Sequence, residues 1–74
     1  MTLPTAAQIV SLRNAAANAG DLEQHAICTL ALGGSDELEG AEPGTAQAVL
    51  LASGMTQHEA RLLCAIVIDD AQAA

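Results

Sequence analysis

The absence of aromatic side chains is the feature that most restricts how this chain can fold. None of its 74 residues is Phe, Tyr or Trp, although 51% of the chain is apolar. The core must therefore be built from Leu, Ile, Val, Met, Cys and Ala. Ala and Leu are strong helix formers, and the β-branched and aromatic residues that favour strands are scarce. The composition predicts an all-α fold.

The length of the chain allows one small helical domain, covering residues 1–74. A chain of this size buries only about 60% of the surface that it exposes when unfolded. Its first residues, MTLPTAAQ, lack the basic start and the apolar run of a secretory signal peptide. We therefore expect a soluble protein of the cytoplasm, in which Cys28 and Cys64 are free thiols.

Capping patterns predict where the helices begin and end. A capping residue followed three positions later by a residue that can bond back to it marks a helix start, and glycine marks a helix end. The starts are Thr5 with Gln8, Asp21 with Gln24, and Thr56 with Glu59, and the ends are Gly20, Gly33 and Gly54. These signals predict a compact bundle of about four short helices, over about 6–19, from 22 to Gly33, 45–53 and 57–71.

The fourth predicted helix is apolar on most of its circumference. A helix of this kind is either central to a core or shared with another chain. We expect it to contact the other three helices, with Leu63, Ile66 and Val67 almost completely buried. If the face of this helix that carries Leu63 to Val67 is exposed in the monomer, the interpretation changes to a protein that dimerises.

An acidic, glycine-rich loop is predicted between the second and third helices. Its sequence, GGSDELEGAEPG, holds four glycines, one proline and four acidic residues. Across the whole chain nine acidic residues oppose two arginines and no lysine, which gives a net charge of −7. A protein of this charge cannot neutralise phosphates, and it has no aromatic platforms for single-stranded bases. Direct nucleic-acid binding is therefore excluded, and the charge favours attraction to a basic surface.

Metal binding and cysteine chemistry are possible in principle at Cys28 with His25 and at Cys64 with His58. The second pair is separated by six positions on one helix, which directs the side chains about 120° apart. A closed zinc site needs convergent ligands. Two thiols packed in a helical core are the better interpretation, and a metal-binding or redox module is a third, weaker alternative.

No catalytic arrangement is evident in the sequence. A reactive cysteine needs an electropositive setting, and this chain is strongly acidic. Adjacent carboxylates on a helix do not face each other, and the glycine-rich segment lacks the Lys and Ser/Thr of a phosphate-binding loop. We predict that the protein is not an enzyme and has no cofactor and no metal.

Two stretches of the chain resemble a recurrent type of short helical protein carried by bacterial phages and mobile elements. They are IVSLRNAAANAGDLEQHAICTLALGG and EARLLCAIVIDDAQA. The shared patterns are L-R-x-x-A-x-x-A-G-D, a core Cys followed by A-L-x-G, and E-A-x-x-x-C-A-x-V-I-x-D-A-Q. The match covers about half of the chain, which differs by its acidic loop and third helix. Most such proteins have no assigned activity.

In size, charge and lack of catalytic residues, the chain is also similar to the small acidic anti-CRISPR proteins of phages. Several of these act as DNA mimics against type I CRISPR surveillance complexes. The similarity is one of character and not of a shared motif, so no functional residue follows from it. It implies a protein that works in the cytoplasm of a bacterial host and binds a basic nucleic-acid-binding protein, with a Cas effector subunit as the first candidate.

The leading hypothesis is therefore a non-enzymatic inhibitor that covers the DNA-binding surface of a type I CRISPR–Cas effector subunit by acidic mimicry. The predicted partner-binding residues are Asp36, Glu37, Glu39 and Glu42, followed by Asp69 and Asp70. The alternative is a small structural or adaptor protein that dimerises or binds a partner through an apolar helical face. In that case the acidic surface would serve only solubility. The sequence leaves monomer and homodimer open.

Overall fold

The structure, a computed structural model, describes residues 2–34 and 54–73. These ranges contain three helices and no strand: α1 (Ala6–Ala19), α2 (Leu22–Ala31) and α3 (Gln57–Ala73). The predicted all-α class is confirmed, with three helices there and not about four. The short helix predicted over 45–53 lies outside the described residues, as does the acidic loop from residue 35 onward. None of the described helices is long and apolar enough to cross a lipid bilayer.

Reciprocal hydrogen bonds fix the start of α1 at the predicted capping box. The Thr5 N–H donates to Gln8 Oε1 over 2.8 Å, and Thr5 Oγ1 accepts from the Gln8 N–H over 3.2 Å. The helix ends at Gly20, whose φ of +73° is left-handed. Glycine adopts this conformation without the strain that a Cβ atom would cause. The chain can therefore turn and begin α2 almost at once.

The starts of α2 and α3 also follow the predicted caps. Asp21 Oδ1 accepts a hydrogen bond from the Gln24 N–H over 3.1 Å at the start of α2. At the start of α3 the Thr56 N–H donates to Glu59 Oε1 over 3.3 Å, while Thr56 Oγ1 accepts from the Glu59 N–H over 3.2 Å. Such caps satisfy backbone donors that have no partner inside the helix.

The central helix of the structure is α2. It packs extensively against both α1 and α3, whereas α1 and α3 contact each other only slightly. Every residue from Ala26 to Ala31 is buried, so this helix has no outward face over more than one full turn. The core cluster consists of Ile9, Ala26, Ile27, Cys28, Leu30, Ala31, Ala60 and Cys64, with Leu12, Leu32 and Met55 packed against it.

The expectation that Leu63, Ile66 and Val67 are almost completely buried is wrong. Leu63 is 37% exposed and Ile66 is 45% exposed, while Val67 is half-buried. The reason is that α3 meets α2 through small side chains, Ala60 and Cys64, which are fully buried. The exposed apolar side chains of α3, Leu63 and Ile66 among them, lie away from this contact, whereas Val67 lines a groove between α1 and α3.

A polar contact joins α3 to the end of α2. The Ala31 carbonyl accepts hydrogen bonds from Gln57 Nε2 over 3.2 Å and from Arg61 Nε over 3.1 Å. The last carbonyls of a helix have no partner within it and carry partial negative charge, so a cation is favourable there. Arg61 therefore connects the two helices and stabilises the C-terminal end of α2.

Replacement of Arg61 by Gln should lower the free energy of unfolding by about 1–2 kcal/mol, because it removes a charge-assisted hydrogen bond and a cation at a helix end. Arg13→Gln is the matched control, since it removes the same charge from α1 and should cost less than about 0.5 kcal/mol. Urea unfolding followed by circular dichroism measures both. Equal losses in the two variants would mean that the Arg61–Ala31 contact contributes nothing specific.

Candidate functional site

Two of the six predicted partner-binding carboxylates lie in the described part of the chain. Asp69 and Asp70 are both exposed near the C-terminal end of α3, and no basic residue lies in the last turn of this helix. Negative charge at that end is disfavoured by a few tenths of a kcal/mol or more. The other four, Asp36, Glu37, Glu39 and Glu42, lie outside the described residues and stay predictions.

Asp69 and Asp70 do not share one pocket. Asp69 borders a groove of about 280 Å³ that α3 forms with the N-terminal segment and that Leu3 and Gln8 also line. Successive residues of a helix are about 100° apart. Asp70 therefore lies on another side of α3, in line with Leu63 and Ile66.

The outer face of α3, which we define as Glu59, Leu62, Leu63, Ile66 and Asp70, combines apolar and acidic side chains. All five are exposed, and their spacing places them on one side of the helix. The three apolar side chains form a continuous strip. Glu59 and Asp70 lie at its two ends, about 16 Å apart along the helix axis at 1.5 Å per residue.

The negative charge of the described surface is not offset by exposed Lys or Arg side chains. Every acidic residue in the two described ranges is exposed: Asp21, Glu23, Glu59, Asp69 and Asp70. Arg13 and Arg61, the two arginines of a chain without lysine, are both half-buried. The Arg61 Nε–H group donates a hydrogen bond to the Ala31 carbonyl of α2. A basic partner would therefore approach exposed carboxylates with little competing positive charge.

The two cysteines contact each other at the centre of the core. Their Sγ atoms are 3.9 Å apart, both side chains are fully buried, and both are free. The expectation of two free thiols is confirmed, whereas their contact was not predicted. Each cysteine has an alanine near it at helical spacing, Ala31 in α2 and Ala60 in α3. Such small-residue stripes indicate close approach of helices and were the available signal.

Burial, followed by the neighbouring Cys28, raises the pKa of Cys64 from 9.0 to about 12. The thiolate is the nucleophilic form of cysteine, so Cys64 is protonated and unreactive at neutral pH. Gln24 Nε2 donates a hydrogen bond to Cys28 Sγ over 3.4 Å. In residues 2–34 and 54–73 no three His, Cys, Asp or Glu side chains are grouped so that they could hold a metal ion.

A second, apolar groove of about 460 Å³ lies between α1 and α3. It is lined by Ala7, Ser11 and Leu12 of α1, by Val67, Ile68 and Ala71 of α3, and by one glutamine from each helix. None of these side chains is ionisable. The described residues of this groove therefore offer apolar contact and hydrogen bonding, and none of them is an acid or a base.

Comparison with known proteins finds no protein family, no curated protein and no solved structure that matches the chain. Its class is accordingly defined by the described residues themselves. They form a small acidic three-helix unit that has a cysteine pair in its core and an apolar strip between carboxylates on α3.

The stability of the protein should fall as the pH rises from 9 to 12. Cys64 binds its proton more tightly in the folded state, so the folded state holds more protons than the unfolded state in this interval. The contribution of the protonated Cys64 thiol to stability is therefore fully present below pH 9 and is lost as the pH approaches the folded pKa. The chain has neither Lys nor Tyr, so few other groups titrate there.

Thermal unfolding of the wild type and of Cys64→Ala, measured from pH 7 to pH 12, tests this expectation. The variant should be less stable at pH 7 by about 1–2 kcal/mol, on the scale of small core deletions, and should lose most of the alkaline decline. The same alkaline decline in both proteins would contradict the role given to Cys64.

Proposed function

We propose that the protein is a non-enzymatic inhibitor that binds the basic, DNA-binding surface of another protein and competes with DNA for it. The observation that supports this most is the one-sided charge distribution. All five described carboxylates are exposed, and both arginines are half-buried. Because of the resemblance to small acidic anti-CRISPR proteins, our first candidate for the partner is a subunit of a type I CRISPR–Cas effector.

The inhibitor would act by placing carboxylates where DNA phosphates bind. Lys and Arg donate charge-assisted hydrogen bonds to carboxylates as they do to phosphates. Opposite surface charges also speed the encounter of two proteins. The carboxylates proposed to take part are Asp36, Glu37, Glu39, Glu42, Asp69 and Asp70. The absence of ionisable side chains from the apolar groove and the protonated state of Cys64 support a binding role over catalysis.

A second candidate function is favoured by the exposed apolar strip of α3. Leu62 and Leu63 are each 37% exposed and Ile66 is 45% exposed. Exposed apolar patches bordered by polar residues often mark interaction sites. On this basis the protein would be a small adaptor that dimerises or binds a partner through α3, and its acids would serve only solubility.

Neutralisation of the proposed carboxylates should weaken inhibition without unfolding the protein. One variant carries Asp36→Asn, Glu37→Gln, Glu39→Gln and Glu42→Gln, and a second carries Asp69→Asn and Asp70→Asn. Displacement of a labelled target duplex from a purified type I effector complex is the measurement. Each variant should need at least about ten-fold more protein for the same displacement, which corresponds to about 1.4 kcal/mol. Higher salt should weaken the wild type steeply.

Glu23→Gln, which removes one exposed charge from the first turn of α2, is the control and should leave displacement almost unchanged. Full inhibition by both neutralised variants would show that these carboxylates are not the site. If the wild type displaces no DNA, the effector is not the partner. The adaptor function predicts the reverse pattern, in which neutralisation has little effect and a polar residue in the apolar strip abolishes the complex.

A further inference from the structure

The arrangement of side chains on the outer face of α3 is more specific than a negative surface. Glu59 and Asp70 lie at the two ends of a strip formed by Leu62, Leu63 and Ile66, and all five side chains are exposed. Residues at this spacing lie on one side of the helix. A protein that needed only charge for solubility would gain nothing from three large apolar side chains between its carboxylates.

We propose that the outer face of α3 is a docking surface for a partner segment that presents an apolar strip flanked by Lys or Arg side chains. The inference deepens the proposed function and rests on it, because it assigns the chemistry of the basic partner at one defined surface. Apolar contact would take place at the centre, where Leu62, Leu63 and Ile66 lose contact with water. Charge pairs with Glu59 and Asp70 would form at the rim and set the orientation.

A second copy of this chain is a poor occupant of the same surface. Whether two α3 helices pair in parallel or antiparallel, the carboxylates at the ends of one strip approach those of the other. Like charges that face each other across an interface oppose association. The apolar strip is also short, since three partly exposed side chains offer only a small part of the roughly 800 Å² that each partner buries in a stable interface. Opposite charge on the partner is needed in addition.

A partner that supplies charge alone is also a poor fit. Ion pairs between exposed side chains contribute little, about 0–1 kcal/mol each. Binding energy is usually concentrated in a few well-packed apolar or aromatic side chains that a polar rim shields from water. The outer face of α3 has this arrangement, with the apolar residues in the middle and the carboxylates outside.

Labelled helical peptides test the proposal without any assumption about the natural partner. The first peptide carries a stripe of Leu at helical spacing flanked by Lys, the second has Glu in place of Lys, and the third has Ala in place of Leu. Fluorescence anisotropy measures the binding of each peptide to the full chain. The Leu/Lys peptide should bind at least about ten-fold more tightly than either of the others, the change expected when one important interface contact is lost.

Variants of the protein then locate the binding site. A double variant, Leu63→Gln with Ile66→Gln, should weaken Leu/Lys peptide binding by at least about ten-fold. A separate variant, Asp70→Asn, should weaken it by about three-fold. Leu22→Gln and Glu23→Gln are matched controls on α2, where Leu22 is 56% exposed, and they should leave binding unchanged. All five substitutions are at exposed positions, so circular dichroism should show intact helices.

Three results would overturn the proposal. The first is equal loss in the α3 variants and their α2 controls, which would mean that the peptide does not bind specifically at the outer face of α3. The second is equal binding of the Leu/Glu peptide. The third is a wild-type dimer in sedimentation equilibrium that Leu63→Gln with Ile66→Gln makes monomeric. If the peptide pattern is found but DNA is not displaced from the effector, the proposed inhibition of this effector is wrong and the docking surface stands. If DNA is displaced from the effector but the peptide pattern is not found, the proposed function stands and the outer face of α3 is not the docking surface.

Discussion

The contact between α2 and α3 through small side chains is the interaction on which the rest of the structure depends. A chain without aromatic residues has to bring its helices close together to exclude water. Here Cys28 contacts Cys64 over 3.9 Å between sulfur atoms, and Ala31 and Ala60 are fully buried in the same cluster. A larger side chain at such a close contact between helices would force the neighbouring groups apart. The sulfur atoms therefore serve as core-filling groups, and the raised pKa of Cys64 is a consequence of that role.

This mode of packing also determines what faces outward. Because α3 meets α2 with its small residues, its large apolar residues Leu62, Leu63 and Ile66 lie on the other side, between Glu59 and Asp70. The two arginines are half-buried, and Arg61 contacts the end of α2. Part of the small positive charge of the chain is thus used within the fold, and the five described carboxylates are exposed. A surface of this kind is suited to a partner that is both basic and apolar.

Local features were predicted well from the sequence because each depends on a few neighbouring residues. The cap formed by Thr5 and Gln8 and the left-handed Gly20 gave the bounds of α1, and Thr56 with Glu59 gave the start of α3. The side of α3 that is buried was not predictable in the same way. A helix apolar on most of its circumference does not reveal which side meets its neighbour, and we assumed that larger side chains such as Ile66 would be buried. The acidic residues from 36 to 42 lie outside the described part and stay predictions.

The exposure of individual methyl groups shows directly whether α3 buries its small residues and leaves Leu62, Leu63 and Ile66 open to solvent. Relaxation of Leu and Ile methyl signals by a soluble gadolinium chelate reports how closely solvent approaches each group. We expect strong relaxation for Leu62, Leu63 and Ile66 and little for Ile9, which is 1% exposed. Protection of the three α3 side chains to the level of Ile9 would contradict this expectation, because it would mean that this face is already covered in the free protein.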